Sequence, residues 1–295
     1  MAVNLSTGLF YDRSVGSMQS LSAKLETLNT QVSTGKKLLN TADDSTGWQR
    51  LQTINRANAD GVQDVANVKL AQSVLAQADT TLGQIGDQMK RASELVIQGR
   101  TGTNSAAARE AIATELEGII GSIVQLANTK DARGVALFGG KDDGAAVTRG
   151  VGGLSFAAGK APAMPIGDGQ SVEATVNAAT FLDTGSGDIA SALDAVVAAL
   201  RAGEDIPSDA SDAVTTVADQ VTATQASIGA RAVRVDLQAA QLTTAADDRE
   251  IQRSGIEDAD ATQTIVELQK TMTILQATQA SFSKLSSLSL FTYLR

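Results

Sequence analysis

Apolar residues recur at alternating three- and four-residue steps toward both ends of this chain, and the pattern stops in its middle. The clearest run is Leu51, Ile54, Asn58, Gly61, Val65, Val68, Ala71, Leu75, Ala78, Leu82, Ile85, Met89, Ala92 and Val96, broken only by Asn58 and Gly61. Such steps average 3.5 residues, the period of a coiled-coil stripe. A helix over that run would extend roughly 70 Å at about 1.5 Å per residue, whereas a compact chain of this length has a radius of gyration of about 19 Å. The pattern therefore predicts a mainly α protein. Its N- and C-terminal segments form an elongated coiled-coil helical rod, and a small β-rich domain is inserted in the middle.

Met18, Leu21, Leu25, Leu28 and Val32 predict a first amphipathic helix, and a break is expected near Asn40 to Ser45, where Asp43 and Asp44 can cap the helix that follows. Gly99 to Asn104 reads as a turn, and Ile112, Leu116, Ile119, Ile123 and Leu126 carry the next helix. From Gly134 to Ala190 the periodicity disappears, and 12 of the 26 glycines fall in that stretch. There Val172, Ala174 and Val176 alternate with polar residues as a half-buried strand would, and Lys141 to Gly144 reads as a turn. A short helix with Leu193, Val196, Val197 and Leu200 leads out of the insert. Helix resumes after Pro207 with Val214, Val217, Val221, Thr224, Ile228, Val235, Leu242 and Ala245. Ile265, Leu268, Met272, Leu275 and Phe282 close the pattern. The expected segments are a helical assembly segment over 1–42, one half of the rod over 43–133, an outer β-rich insert over 134–190, the second half of the rod over 191–253, and a second assembly segment over 254–295.

Composition narrows the chemistry. Hydrophobic residues make up 43% of the 295 positions but aromatics only 3%, which suits close helix packing better than an aromatic-lined ligand pocket. Histidine and cysteine are both absent, so imidazole bases, thiolate nucleophiles, disulfides and His/Cys metal sites are excluded by residue type. No catalytic residue, cofactor or metal is expected. A net charge of -9 without a Lys/Arg cluster argues against nucleic-acid binding. No stretch of about 18 apolar residues predicts membrane insertion, and the first 30 residues lack the apolar core of a signal peptide.

Candidate motifs yield to plainer readings. Ser33-Thr34-Gly35-Lys36-Lys37 contains a Gly-Lys pair but has Thr30 where a phosphate loop needs glycine and Lys37 where it needs Ser or Thr. Asp43-Asp44 reads as a cap, and the acidic run Ser254 to Asp260 as a solvated face or a helix start. Asp142-Asp143-Gly144 lacks calcium-loop spacing. Trp48, the single tryptophan, packs at a helix junction and is a candidate interface anchor. The end of the chain is the most informative segment. Between Thr271 and Leu294 the only charge is Lys284, and Leu285, Leu288, Leu290, Phe291, Tyr293 and Leu294 call for a partner surface, since fully burying such a side chain contributes about 1.5–3 kcal/mol. Two helices alone make a thin core. The termini are expected to be loosely ordered in the free subunit and to become buried against neighbouring subunits. The expected assembly interface comprises Leu21, Leu25, Leu28, Val32, Trp48, Leu268, Met272, Leu275, Phe282, Leu285, Leu288, Leu290, Phe291, Tyr293 and Leu294.

Three segments together resemble the bacterial flagellin superfamily. Gln31 to Lys37 followed by Ala42-Asp43-Asp44-Ser45 is similar to its Ser/Thr-Gly-Lys/Arg and Asp-Asp signature. Ile256-Glu257-Asp258-Ala259-Asp260 is similar to its Ile-x-Asp-Ala-Asp signature, and Leu288 to Leu294 resembles its closing segment. Within the superfamily, Phe10-Tyr11-Asp12-Arg13, Val135 to Gly140 and Ser289 to Leu294 look like the branch that joins hook to filament, while the ending Leu294-Arg295 also fits the filament branch. The resemblance implies a non-enzymatic structural subunit for motility that joins hook to filament by polymerising its terminal helices; the alternative is a filament subunit. It implies export through the flagellar type III apparatus to the cell exterior, a cytoplasmic chaperone at the C-terminal helix, and contacts with identical subunits, other hook-associated proteins and flagellin. A third class, a surface adhesin or glycan-binding module, would place its function in residues 134–190.

Overall fold

The structure is a computed structural model that describes residues 2–141 and 144–293, with the side chains of 9, 11–141 and 144–284. Among the described residues, seven helices and four strands follow in the order α1 (Ala2–Thr34), α2 (Ser45–Gly99), α3 (Ala106–Ala127), β1 (Val147–Gly150), β2 (Gly153–Phe156), β3 (Ala163–Gly167), β4 (Gln170–Glu173), α4 (Ala179–Leu182), α5 (Ile189–Ala202), α6 (Ser208–Glu257) and α7 (Ala261–Tyr293). They fall into two compact units. Residues Asp60–Ala245 form a central unit, and Met1–Ala59 with Ala246–Arg295 form a terminal unit.

In the central unit, the α2 stripe is the axis of the core. Val68, Ala71, Leu75, Ala78, Leu82, Ile85, Met89, Ala92 and Val96 are all buried, as the 3.5-residue period requires of a helix with neighbours along its length. Antiparallel α6 covers one side of it. Gln72 donates to Asp236 at 2.7 Å and Gln225 to Asp79 at 3.2 Å, and Val214, Val217, Val221, Ile228 and Val235 are buried in the shared core. Helices α3 and α5 supply Ile112, Leu116, Ile119, Ile120 and Ile123, and Leu193, Val196 and Leu200. Their ends carry the expected chemistry: the Ser105 hydroxyl caps α3, Asp188 and Ser191 form a reciprocal capping box on α5, and Gly203 closes α5 in the left-handed region.

Between α3 and α5 lie two antiparallel hairpins, β1–β2 and β3–β4. They bury Val147, Ile166 and Val172 in the same core as the helices. The strand expected over 172–176 ends at Glu173; Val172 is buried within it and Ala174 beyond it, so the alternation of burial outlasts the strand pairing. Of the expected turn at 141–144, Asp142 and Asp143 lie outside the described residues. Phe138 and Phe181 meet edge to face, with ring centroids 5.1 Å apart. Gly140, beside Phe138 in the chain, has φ +66°, and a Cβ there would stand 2.6 Å from the Gly159 carbonyl oxygen, so both conformation and space demand glycine.

Asp131 ties the loop after α3. Its Oδ1 accepts the backbone N–H groups of Arg133 and Val135 at 2.9 and 3.1 Å, and its Oδ2 accepts the Arg133 guanidinium at 2.7 and 2.9 Å. Burial works to raise its pKa, but these bonds outweigh burial and hold the carboxyl below its ordinary value of 3.8. A depressed folded pKa means stability that is present above the unfolded value and is lost as pH falls through the folded one. Asp131→Asn should therefore lower unfolding stability by about 2 kcal/mol at neutral pH. Denaturant titrations should show the gap to wild type closing below about pH 4; a gap independent of pH would contradict this account.

Candidate assembly interface

The terminal unit is built from α1, the first turns of α2, the last turns of α6, and α7. The pairing of α1 with α7 is antiparallel: Tyr11 packs edge to face on Phe282 with centroids 5.3 Å apart and Lys24 meets Glu267 at 2.7 Å, and just beyond the pair the backbones of Lys36 and Asp258 form an isolated antiparallel bridge. Along α1 the side turned from solvent carries Tyr11, Met18, Leu21, Leu25 and Leu28, of which only Leu28 is fully buried. Along α7 it carries Thr264, Leu268, Thr271, Leu275, Thr278 and Phe282, with only the two threonines Thr264 and Thr271 fully buried. This is a thin seam, since a helix pair can cover each stripe on one side only.

What lies away from the seam is also apolar. Val15 and Val32 on α1 and Ile265, Val266, Met272 and Ile274 on α7 are exposed, the last four by 42–60% of their surfaces. Of the expected interface residues, Leu21, Leu25, Leu268, Leu275 and Phe282 are half-buried in the seam, Leu28 is buried, and Val32 and Met272 face solvent. Trp48 is half-buried in the first turn of α2. Leu285, Leu288, Leu290, Phe291, Tyr293 and Leu294 lie outside the residues with described side chains. The stripe of α7 runs through 264 and 271 rather than 265 and 272, because threonine methyl groups serve as seam contacts while their hydroxyls bond to the carbonyls four residues back. Counting threonine with the apolar residues would have revealed that stripe.

Two breaks in helix adjoin the pair, and each is made by its own residues. Helix α1 stops at Thr34, earlier than the expected break, because Gly35 adopts φ +71° and turns the chain. Asp43 Oδ2 accepts the N–H groups of Leu39 and Asn40 at 3.0 and 2.8 Å, and Asp44 Oδ1 accepts those of Thr46 and Gly47 at 3.0 and 2.9 Å. Asp44 is thus the cap of α2, and Asp260, accepting Gln263 N–H at 3.0 Å, is the cap of α7. The carboxylates of Asp43, Asp44 and Asp260 thus all accept backbone N–H groups.

The two breaks are fastened to each other. The Glu257 carbonyl accepts the N–H groups of Lys37 and Leu38 at 2.7 and 3.4 Å, and Ala259 donates to the Gly35 carbonyl at 2.8 Å. Lys37 Nζ reaches the Gly255 carbonyl at 2.8 Å, at the end of α6. The Glu257 carboxylate pairs with both Lys36 and Arg253, and Arg253 also pairs with Glu250 at 2.6 Å. Glu250 and then Glu257 push the pKa of Arg253 further up, and Arg253 holds the Glu250 carboxyl below its usual range. Beside this clasp, Arg249 donates to the Ala57 carbonyl and to Asn58 Oδ1 at 3.2 and 3.3 Å, which explains why the α2 stripe is interrupted at Asn58. An open groove of about 730 Å³ lies between the start of α2 and the end of α6, floored by Ile54 and Ile256 and edged by Gln49, Arg50 and Gln252.

Among the described residues no three Asp or Glu side chains gather as a metal site, and no helix is long and apolar enough to cross a membrane. What the terminal unit offers is a helix pair with apolar flanks, capped and clasped at one end.

The model of the bacterial flagellin N-terminal helical region matches residues 6–143, and that of the C-terminal helical region matches residues 211–294; the chain belongs to the bacterial flagellin family. It is 27% identical over 138 residues to flagellar hook-associated protein 3 of Salmonella typhimurium, covering 47% of this chain and 44% of the relative. It is 30% identical over 143 residues to polar flagellin C of Vibrio parahaemolyticus, covering 48% and 36%. The matched region thus spans less than half the length of these curated relatives. In fold it is similar to a structure assigned as a flagellar hook-associated protein from Vibrio parahaemolyticus, with a TM-score of 0.68 at 22% identity over 73% of this chain and 100% of the other. The flagellar junction protein FlgL from Legionella pneumophila follows with a TM-score of 0.57 at 10% identity, over 71% and 100%.

Replacing the α2 cap tests the local reading. Asp44→Ala should cost about 1 kcal/mol and Asp44→Asn much less, measured by thermal unfolding; equal losses would mean that the carboxylate acts through charge and not as a hydrogen-bond acceptor.

Proposed function

We propose that this chain is a non-enzymatic structural subunit of the bacterial flagellum that joins hook to filament, and that its chemistry is the coupled folding and burial of its terminal helices. The observation that carries the reading is the α1/α7 pair, whose seam is half-buried while Ile265, Val266, Met272 and Ile274 remain exposed on the other side. Each such side chain contributes about 1.5–3 kcal/mol when fully covered, so neighbouring copies that cover several of them outweigh the entropy of ordering a helix end. The segments 1–42 and 254–295 would serve assembly, 43–133 and 191–253 the helical body, and 134–190 an outward-facing domain.

The similarity to hook-associated protein 3 supports the junction role, together with partners among identical subunits, other hook-associated proteins and flagellin. Export by the flagellar type III apparatus, a chaperone on the C-terminal helix and a place outside the cell go with that reading. A filament role is the second reading, favoured by the 30% identity to polar flagellin C. Labelled-antibody microscopy of intact cells separates the two: the junction reading expects a thin band at the end of the hook, and decoration along the whole filament would overturn it.

Leu275→Asp and Phe282→Asp should abolish incorporation into the flagellum and swimming. Both place a carboxylate in the α1/α7 seam, while the unfolding midpoint of the central unit should stay within about 0.5 kcal/mol of wild type. Swimming cells that incorporate either variant would refute the assembly role of the seam.

A further inference from the structure

Thr215, Thr216, Thr222, Thr243 and Thr244 of α6 each bond their hydroxyl to the carbonyl four residues back. Thr224 does not, although it is only 6% exposed. It lines an open cleft of about 300 Å³ in the central unit, together with Gln220, Ala223, Ser227 and Arg231 of the same helix and with Val176 and Thr180 at and before α4. The α6 residues recur at three- and four-residue steps, so the helix presents them on one face. The hydroxyls of Thr180, Thr224 and Ser227 have no partner among the described residues, and Gln220 Oε1 is buried without one. Buried polar groups are ordinarily paired. Here the partners must come from outside the chain.

Arg231 supplies the charge. Its Nη1 donates to the Glu173 carbonyl at 2.7 Å and to the Thr175 carbonyl at 3.2 Å, which fixes the guanidinium and leaves its Nε and Nη2 edge without a partner among the described residues. The opposite wall is fixed as well. Asn177 Nδ2 donates to the carbonyls of Ala157 and Gly159 at 2.6 and 2.9 Å, and the Thr180 N–H donates to the Asn177 carbonyl at 2.9 Å. Groups held in this way lose little freedom when a ligand arrives. A guanidinium edge matches a carboxylate bidentately, the hydroxyls and the amide match a polyol, and Val176 with Ala223 offers an apolar patch to the C–H face of a sugar ring. A carboxylate side chain of another protein would engage Arg231 and leave the hydroxyls and the amide unmet. We propose that this cleft binds one acidic sugar unit, with Arg231 on its carboxylate and Thr180, Gln220, Thr224 and Ser227 on its hydroxyls. A single unit is all that fits, since the cleft is at the lower end of the range of ligand sites, about 300–1,000 Å³. The site lies apart from the α1/α7 pair and does not rest on the assembly reading.

Saturation-transfer difference NMR on the full-length protein tests this with glucuronic acid, glucose and acetate as probes. Glucuronic acid should bind saturably with a Kd of about 1 mM, as the small contact area of one sugar allows. Glucose, which lacks the carboxylate, and acetate, which lacks the hydroxyls, should bind about tenfold more weakly. Thr224→Val should raise the Kd for glucuronic acid about fivefold and Arg231→Gln about tenfold, each with far-UV helicity retained. If Arg231→Gln loses helicity, Thr224→Val combined with Ser227→Ala takes its place, with about tenfold weakening expected. Acetate binding as tightly as glucuronic acid overturns the sugar assignment in favour of an acidic side chain from a partner protein. The absence of saturable binding, with water alone in the cleft, overturns the site altogether, and so does a Kd unmoved in the helical variants.

Discussion

A long amphipathic helix stays folded only where other chain covers its apolar stripe, and the two units of this protein meet that requirement to different depths. In the central unit α2 has company along its whole length: α6, α3, α5 and the segment around Phe138 all contribute to one core, so Leu82, Ile85, Met89 and Ala92 have no exposed surface at all. In the terminal unit α1 and α7 have chiefly each other, and their seam residues remain half-exposed. The stripe has the same period in both places. The number of neighbours decides how much of it is buried, and burial sets the contribution to stability.

Polar residues also enter the seams. On α6 the inward positions Val214, Val217, Val221, Ile228, Val235 and Leu242 are interspersed with Thr224 and with Gln238, which is 3% exposed with its Nε2 lacking a hydrogen-bond partner among the described residues. Further on, Arg249 faces Asn58 across the α2–α6 pair of the terminal unit. Such groups cost stability when buried and unsatisfied, but a hydrogen-bonded polar pair restricts alternative alignments in a way that interchangeable Val, Leu and Ala contacts do not.

Most of the helical framework was legible because it depends on local periodicity. The α2 stripe from Val68 to Val96 is buried as its spacing required, and the caps at Asp44 and Asp260 stand where short acceptors precede a run of helix formers. Two features were displaced. The end of α1 lies at Gly35 because a left-handed glycine stops a helix before any change of polarity does, and the α7 stripe includes threonines, which an apolar count passes over. The clasp was not legible at all. Lys37 and Gly255 are 218 positions apart, and no rule of spacing connects an end of α1 with an end of α6. The motifs Ser33–Lys37 and Ile256–Asp260 were each visible as short signatures, yet only the fold brings the two into contact.

That contact gives the signatures a physical reason. Gly35 must be glycine to turn the chain after α1, Lys36 and Lys37 must be basic to meet Glu257 and the carbonyl end of α6, and Asp260 must be a short acceptor to cap α7 by binding the N–H three residues on. A seam of alternating threonine and large apolar residues buries less apolar area than an all-leucine seam, so the helix pair is weak by itself. Weakness suits a surface whose remaining stability is to come from neighbouring copies, as proposed. In the terminal unit the most specific contacts, backbone to backbone and charge to charge, are those at the clasp.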